Sequence, residues 1–226
     1  MTIICIETST HVCSAALWQD GVAIKQFINY EGDNHAKLLP QYVEQLVSLA
    51  QQQNMQIDAI AIGDGPGSYT GLRIGTGTAK GLCYGWGIPL IPIPTLQILC
   101  AAALAKMPNI NEPLCPMIDA RRMEIYTALY DTHLQSLTET QACVVDENFA
   151  PTKSFYYFGT GACKCQTVLN PLNCHFIDGI VPEAQYMGAL AEQRIAQGFS
   201  GANVAYYEPC YLKEFIAAPS HIKGLT

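Results

Sequence analysis

Apolar and polar positions first divide the start of the chain into strands. Short apolar runs occupy residues 3–6, 13–18 and 22–28, and each has the length of a buried strand. Asp20 and Gly21 separate the second run from the third, and Asp-Gly between two such runs is a strong hairpin signal. The pattern therefore predicts one strand followed by a hairpin.

After Asp33 and Asn34, which can cap a helix, apolar residues recur with the spacing of one face of a helix. Pro40 lies in the early turns of this helix, where proline is tolerated. Residues 58–63 then predict a buried strand, and residues 64–71 predict a loop rich in glycine and proline. The apolar face of the helix consists of Leu38, Leu39, Tyr42, Val43, Leu46, Val47 and Ala50.

The next helix, predicted at about residues 72–84, is rich in glycine. Gly71, Gly75 and Gly81 lie along it, and each glycine inside a helix costs about 1 kcal/mol relative to alanine. Such residues are tolerated where another helix packs very close, inside the fold or from a partner. A strand at residues 89–93 and a helix after it complete an α/β lobe.

A similar order starts again in the second half of the chain. Residues 114–118 predict a strand that ends in Asp119, and residues 125–130 and 155–158 predict two more. The last clear helix is predicted at residues 183–197. We therefore predict two similar lobes, of which the second is less complete.

One segment is long enough to suggest a membrane span. Residues 81–105 contain no charged side chain. Pro89, Pro92 and Pro94 would break a single helix through this segment, so that a helix end, a short strand and a helix from Thr95 explain it without lipid.

Composition excludes a disordered chain and disfavours a protein that binds nucleic acid by itself. Half of the 226 residues are apolar, only 14% are charged, and the net charge is −7. Twelve Lys and Arg residues are few for a basic phosphate-binding surface. With so little charge, either the charges are spread evenly or part of the surface is covered by another molecule.

The cysteines and the start of the chain indicate a reducing compartment. The ten cysteines form no CxxC pair, and Cys163 and Cys165 are the only close pair. The first ten residues lack the basic and apolar segments of a secretory signal. We therefore expect a cytoplasmic protein with reduced thiols and without a membrane anchor.

The strongest local motif is GPGSYTGLRIG at residues 65–75, between a predicted strand and a predicted helix. Backbone N–H groups at such a junction can hold an anion, and Ser68 and Thr70 add hydroxyl groups. A turn that needs its glycines, followed by a helix cap, explains the same residues and is the interpretation that we favour. Ser68 would act as a nucleophile only beside a base, and no histidine is close in sequence.

Two carboxylates end predicted strands, Glu7 in the first lobe and Asp119 in the second. In a two-lobed fold, carboxylates at these places could bind the magnesium ion of a nucleotide. Equally, each can cap the turn that follows its strand, which we favour.

These motifs together resemble one family, the bacterial TsaB (YeaZ) proteins, relatives of the TsaD/Kae1 group once called glycoproteases. Glu7 stands where many members have Asp. The glycine-rich motif, GPGSYTGLRIG, is specific to the superfamily, and the whole set in so short a chain indicates TsaB. The other matching segments are ICIETS (4–9), NHAKLLP (34–40), IDAR (118–121), EIY (124–126) and PCYLK (209–213).

The resemblance implies an α/β, actin-like (ASKHA, ribonuclease H-like) fold with a reduced second lobe. Residues 1–106 would form the first lobe with two interface helices, and residues 107–226 the second, with the last segment returning to the first. The implied role is in making N6-threonylcarbamoyladenosine (t6A) at position 37 of tRNAs that read ANN codons. In that system a TsaD-type transferase acts with TsaB and the ATPase TsaE.

The resemblance also implies that this chain is a non-catalytic subunit. The catalytic relatives bind a metal through an HxxxH pair, and Thr95 and Leu99 occupy those two positions here. Leucine cannot ligate a metal, so we expect no metal or cofactor in this chain, and ATP and a metal on its partners. The alternatives are a small ATPase or kinase that uses Glu7 and Asp119, and, less well supported, a peptidase.

In the family, two helices equivalent to residues 35–52 and 72–84 pack against the transferase, and a homodimer can imitate this contact. The expected partners are a TsaD-like transferase, a TsaE-like ATPase and, in isolation, a second copy, with tRNA contacted mainly through the transferase. The predicted signature loop is Gly65, Pro66, Gly67, Ser68, Tyr69, Thr70, Gly71 and Arg73. The predicted partner interface is Leu38, Leu39, Tyr42, Val43, Leu46, Gly71, Gly75, Thr78 and Ala79.

Overall fold

A computed structural model describes residues 1–32, 34–146, 148–149, 154–169 and 174–212. The strands of the first sheet are β1 (Thr2–Glu7), β2 (Cys13–Gln19), β3 (Val22–Asn29), β4 (Ala59–Gly63) and β5 (Leu90–Ile93). Those of the second are β6 (Leu114–Asp119), β7 (Glu124–Thr127), β8 (Gln141–Val144), β9 (Phe155–Phe158) and β10 (Cys174–Ile177). The helices are α1 (His35–Gln52), α2 (Tyr69–Trp86), α3 (Thr95–Lys106), α4 (Gln166–Leu169) and α5 (Met187–Ala196), with 3₁₀ turns at Cys163–Cys165 and Ala184–Tyr186.

The two sheets have the same topology. The first has the order β3-β2-β1-β4-β5, and the second has β8-β7-β6-β9-β10. In each sheet the first three strands pair antiparallel and the last two add in parallel. This repeat confirms the predicted two-lobed, actin-like α/β fold.

The second lobe is reduced in its helices and not in its number of strands. Between β4 and β5 the first lobe has the 18-residue helix α2. At the equivalent place the second lobe has the 3₁₀ turn Cys163–Cys165 and the four-residue helix α4. The strands β8 and β10 were not predicted, because each has only four residues and does not form a continuous buried apolar run.

Helices α1 and α2 cover one face of the first sheet. Leu39 and Leu46 of α1 and Ala79 of α2 pack with Ile4 and Ile60 in one core. This arrangement follows from the helical spacing of the apolar residues, because a single apolar face is sufficient to cover one side of a sheet.

Helices α3 and α5 lie on the opposite face of the first sheet, and α3 also packs against the second sheet. Ile98 belongs to the core of the first sheet, whereas Leu96 and Leu99 belong to that of the second. A helix buried on two sides needs apolar residues all round, which explains why residues 95–105 of α3 carry no charged side chain. None of the helices in the described part of the chain has the length and apolar character of a membrane span.

The end of the described chain returns to the first sheet. Ala202 donates its backbone N–H to Leu90 O at 2.8 Å, beside the edge strand β5. The Lys80 ammonium group donates to the carbonyl oxygens of Ala205 and Tyr207. The structure therefore shows contacts of this segment with both β5 and α2, while the division of the chain at residue 106 stays a prediction.

Most predicted elements are present with shifted ends. The hairpin at Asp20 and Gly21 is confirmed, with both residues at positive φ. Helix α2 begins three residues earlier than predicted, because Ser68 caps it. The strand predicted at residues 125–130 ends at Thr127. Asn34 precedes α1 but makes no capping hydrogen bond, and Asp33 lies outside the described residues.

Candidate functional site

The glycine-rich motif forms the turn from β4 into α2, against the end of β1. The Ser68 side chain accepts a hydrogen bond from Gly71 N, and Ser68 N donates to Ser9 O at 2.6 Å. The Gly65–Pro66 peptide bond is cis. A Cβ atom at Gly67 would lie 2.1 Å from Ser9 O, so that only glycine permits this close approach. The favoured interpretation, a glycine-dependent turn with a helix cap, is confirmed.

Two further glycines bring the first turns of α2 against Thr8. The Thr8 hydroxyl donates to Gly71 O at 2.8 Å. A Cβ atom would lie 2.1 Å from Thr8 O at Gly71 and 2.3 Å from Thr8 Oγ1 at Gly75. Contacts inside the chain therefore explain both glycines without a partner, and the partner interface predicted from the sequence stays a prediction.

Three apolar residues of the predicted interface pack inside the chain. Leu39, Leu46 and Ala79 are fully buried in the core beneath α1 and α2. Helical spacing identifies an apolar face, but here the chain's own sheet covers that face. Leu38 and Tyr42 are half-buried, and the Tyr42 ring stacks on Phe27 with centroids 5.5 Å apart.

An open apolar surface does exist on the outer side of the same two helices, and we call it the α1–α2 groove. Both helices begin beside the residues that follow β1, since His35 lies against Thr10 and Gly71 is bonded to Thr8. The groove has a volume of about 470 Å³, and a Cβ atom at Gly77 or Gly81 would meet only open space. Of the predicted interface residues, Val43 and Thr78 line it. The lining residues are Pro40, Val43, Glu44, Val47, Ser48, Gly77, Thr78, Gly81 and Leu82.

A larger cleft of about 1100 Å³ separates the two lobes. Its walls come from the β1–β2 turn, the first residues of α1 and α2, the β6–β7 turn, and the segments after β9 and β10. Six consecutive residues of the signature loop line this cleft, namely Pro66, Gly67, Ser68, Tyr69, Thr70 and Gly71. The Arg73 Cζ atom lies 4.6 Å from the centroid of the Tyr69 ring. The described chain also contributes Cys210, Tyr211 and Leu212.

The two carboxylates cap turns in equivalent places of the two lobes. Glu7 Oε1 accepts a hydrogen bond from the backbone N–H of Ser9 at 2.6 Å. Asp119 Oδ1 accepts one from the backbone N–H of Arg121 at 3.0 Å. The cap that we favoured is therefore confirmed for both. Asp119 lines the cleft and forms an ion pair with Lys164.

Glu7, in contrast, is fully buried and is not part of the cleft wall. Its Oε2 atom has no hydrogen-bond partner and lies against Gly63, where a Cβ atom would be 2.2 Å away. Burial raises the pKa of Glu7 to about 7, although hydrogen bonds from Ser9 and Thr8 oppose the shift. The structure therefore does not bring Glu7 and Asp119 to one exposed magnesium site.

The cleft also brings two histidines to the wall that contains Ser68. His11 and His35 line it, and His35 Nε2 lies 3.0 Å from Thr10 O. Within the described part of the chain, no hydrogen bond joins a histidine to Ser68, and the Ser68 hydroxyl accepts Gly71 N instead. The sequence could not predict that His35 lines the same cleft as the motif, because the cleft is built from residues that are far apart in the chain.

Thr95 supports the signature loop. Two hydrogen bonds join Thr95 to Gly65. The backbone N–H of Gly65 donates to Thr95 Oγ1 at 3.1 Å, and the backbone N–H of Thr95 donates to Gly65 O at 2.9 Å. Thr95 and Leu99 are both fully buried. The described residues contain no group of three or more His, Cys, Asp or Glu side chains able to hold a metal ion.

A family model described as TsaD, tRNA N6-adenosine threonylcarbamoyltransferase, matches residues 29–176. The tRNA threonylcarbamoyladenosine biosynthesis protein TsaB of Escherichia coli K12 is 32% identical over 227 residues, which cover 96% of both chains. The chain belongs to the TsaB (YeaZ) family. TsaB of Bacillus subtilis is 33% identical over 58% of this chain and 55% of its own length.

A solved structure of a TsaB-family member has the same fold. The structure described as YeaZ from Pseudomonas aeruginosa superposes with a TM-score of 0.79 at 26% identity. The match covers 93% of this chain and 99% of the Pseudomonas protein. Both lobes therefore belong to the shared fold.

Proposed function

We propose that this TsaB-family protein is a non-catalytic activator subunit of the complex that transfers threonylcarbamoyl to adenosine 37 of tRNAs reading ANN codons. Its relatives in Escherichia coli and Bacillus subtilis are named for tRNA threonylcarbamoyladenosine biosynthesis. Membership of that family supports a role in t6A formation. The role of a non-catalytic activator is the more specific part of the proposal.

The open α1–α2 groove is the observation that carries this proposal. It is mainly apolar, is lined by residues of two helices, and has open space above Gly77 and Gly81. Exposed apolar surface of this kind favours contact with another protein. The proposed occupants are helices of a TsaD-type transferase or, when the protein is alone, of a second copy.

The residues at the expected metal positions support a division of labour between subunits. Thr95 holds the signature loop and Leu99 lies in the core, so that neither offers a metal ligand. ATP and a metal are therefore assigned to the transferase and to a TsaE-like ATPase. With a net charge of −7, tRNA contact is assigned mainly to the transferase, and the complex is placed in the cytoplasm.

Co-purification with the TsaD-type transferase of the same organism tests the proposal. Gly81→Leu fills the groove and should abolish co-purification and t6A formation in the reconstituted system, with unchanged circular dichroism. Ala196→Leu is the matched control, because Ala196 is exposed on α5, on the opposite face of the first sheet. Transfer by the purified chain alone, or equal co-purification of both variants, would refute the proposal.

A further inference from the structure

Glu44 is the one ionisable side chain among the residues that line the α1–α2 groove. It is exposed, and the residues three and four positions away along α1 are Pro40, Gln41, Val47 and Ser48. None of these side chains is a cation that could neutralise Glu44 across one turn of the helix.

The cations of α2 make other contacts. Lys80 Nζ donates to Ala205 O at 3.2 Å and to Tyr207 O at 3.0 Å. The Arg73 guanidinium group lies over the Tyr69 ring. None of the ion pairs in the described residues includes Glu44. The groove therefore presents an unneutralised carboxylate beside apolar and small side chains.

A molecule that covers the groove removes water from Glu44. A carboxylate that loses its water without gaining a cation is strongly disfavoured. The open space above Gly77 and Gly81 allows the backbone of a partner helix to come close. A helix with small apolar residues beside one lysine or arginine therefore matches both the shape and the charge of the groove.

The residues that line the groove do not supply that match when they face a second copy of this chain. In a two-fold dimer the same surface faces itself, so that both Glu44 side chains enter one interface. The groove contributes no cation to oppose them. Like charges in an apolar contact act against association.

We propose that Glu44 makes the groove selective for a different protein, whose helix places a lysine or arginine against it, and that Glu44 weakens self-association. The inference rests on the proposed function, because it names the chemistry of the partner of the same groove.

The test measures two affinities for each variant, one for the purified TsaD-type transferase by calorimetry and one for self-association by sedimentation equilibrium. Glu44→Lys should weaken transferase binding at least tenfold, and Glu44→Gln should weaken it less and reduce its dependence on salt. Glu44→Gln should strengthen self-association several-fold. Glu139→Lys, an equal change of net charge at an exposed residue of the second lobe, is the control and should alter neither affinity.

Transferase binding that is the same for Glu44→Lys and the wild type would overturn the inference and leave the proposed function in place. Self-association that is unchanged or weaker in Glu44→Gln would overturn the second half of the inference. A wild-type protein that does not bind the transferase would overturn the proposed function and the choice of partner. In that case the sedimentation measurement still decides whether Glu44 opposes self-association.

Discussion

At the scale of single residues, glycine has different roles on the two sides of α2. Gly71 and Gly75 face Thr8, where a side chain has no room, whereas Gly77 and Gly81 face open space. The first pair is required for folding, and the second leaves room for a partner. Substitutions at the two sets should therefore have opposite effects on stability.

Gly75→Ala should lower the free energy of unfolding by about 1–3 kcal/mol, because its Cβ atom would overpack the contact with Thr8. Gly77→Ala should raise that free energy by up to about 1 kcal/mol, since alanine favours a helix. Urea denaturation of the two variants measures both changes. A stable Gly75→Ala protein would show that α2 can move away from Thr8.

Glu7 predicts a dependence of stability on pH. Its pKa is about 7 in the folded chain against an ordinary value of 4.5. Because the folded state binds the proton more tightly, the contribution of Glu7 to stability falls as pH rises from 4.5 to 7 and is constant above. Glu7→Gln should therefore be more stable than the wild type by about 2–3 kcal/mol at pH 8, and by much less at pH 5. Equal differences at the two pH values would contradict the assignment.

At the scale of elements, the signature loop is held by contacts from three separate parts of the chain. The backbone N–H of Ser68 donates a hydrogen bond to Ser9 O. The Thr8 hydroxyl donates to Gly71 O, and the backbone N–H of Gly65 donates to Thr95 Oγ1. The loop is therefore positioned by β1 and by the start of α3 as well as by its own sequence.

Thr95→Val should lower the free energy of unfolding by about 1–3 kcal/mol, because it leaves the N–H of the buried Gly65 without an acceptor. Thr95→Ser keeps the hydroxyl acceptor and should lose less. Chemical denaturation of both variants measures the difference. A Thr95→Val protein as stable as Thr95→Ser would mean that the hydrogen bond to Gly65 contributes little.

The sequence predicts those elements whose pattern is local. The hairpin at Asp20 and Gly21, helix α1, the α2 cap and strand β5 were all visible in residue spacing. Helical spacing shows which face is apolar but not whether the chain's own sheet covers it, and the sheet does cover Leu39, Leu46 and Ala79. The shared cleft of His35 and the signature loop depends on tertiary structure that no local pattern contains.

At the scale of the whole molecule, the last described segment is fastened to the first lobe. Tyr207 donates its hydroxyl to Asp64 Oδ1 at 2.6 Å, and Cys210 N donates to Asp64 O at 2.8 Å. Asp64 directly precedes Gly65, the first residue of the signature loop, so that the last described segment is bonded to the start of that loop.

Tyr207→Phe should lower the free energy of unfolding by about 1.5–3 kcal/mol, the range for a hydrogen bond to a charged group. It should also speed cleavage of the segment in limited proteolysis. Tyr206→Phe is the control, because the Tyr206 side chain is 85% exposed. Equal cleavage rates for the two variants would show that the bond to Asp64 does not hold the segment.

The return of the chain to the first sheet has a consequence for synthesis. Gly188 packs on the Trp18 ring, and Ala202 pairs with Leu90, so that residues translated late complete a sheet whose strands are translated early. While the ribosome is still making the second lobe, the face of the first sheet that α5 will cover has no cover from that helix. The first lobe to emerge is therefore the last to be finished, and it depends on the second lobe being made before it can close.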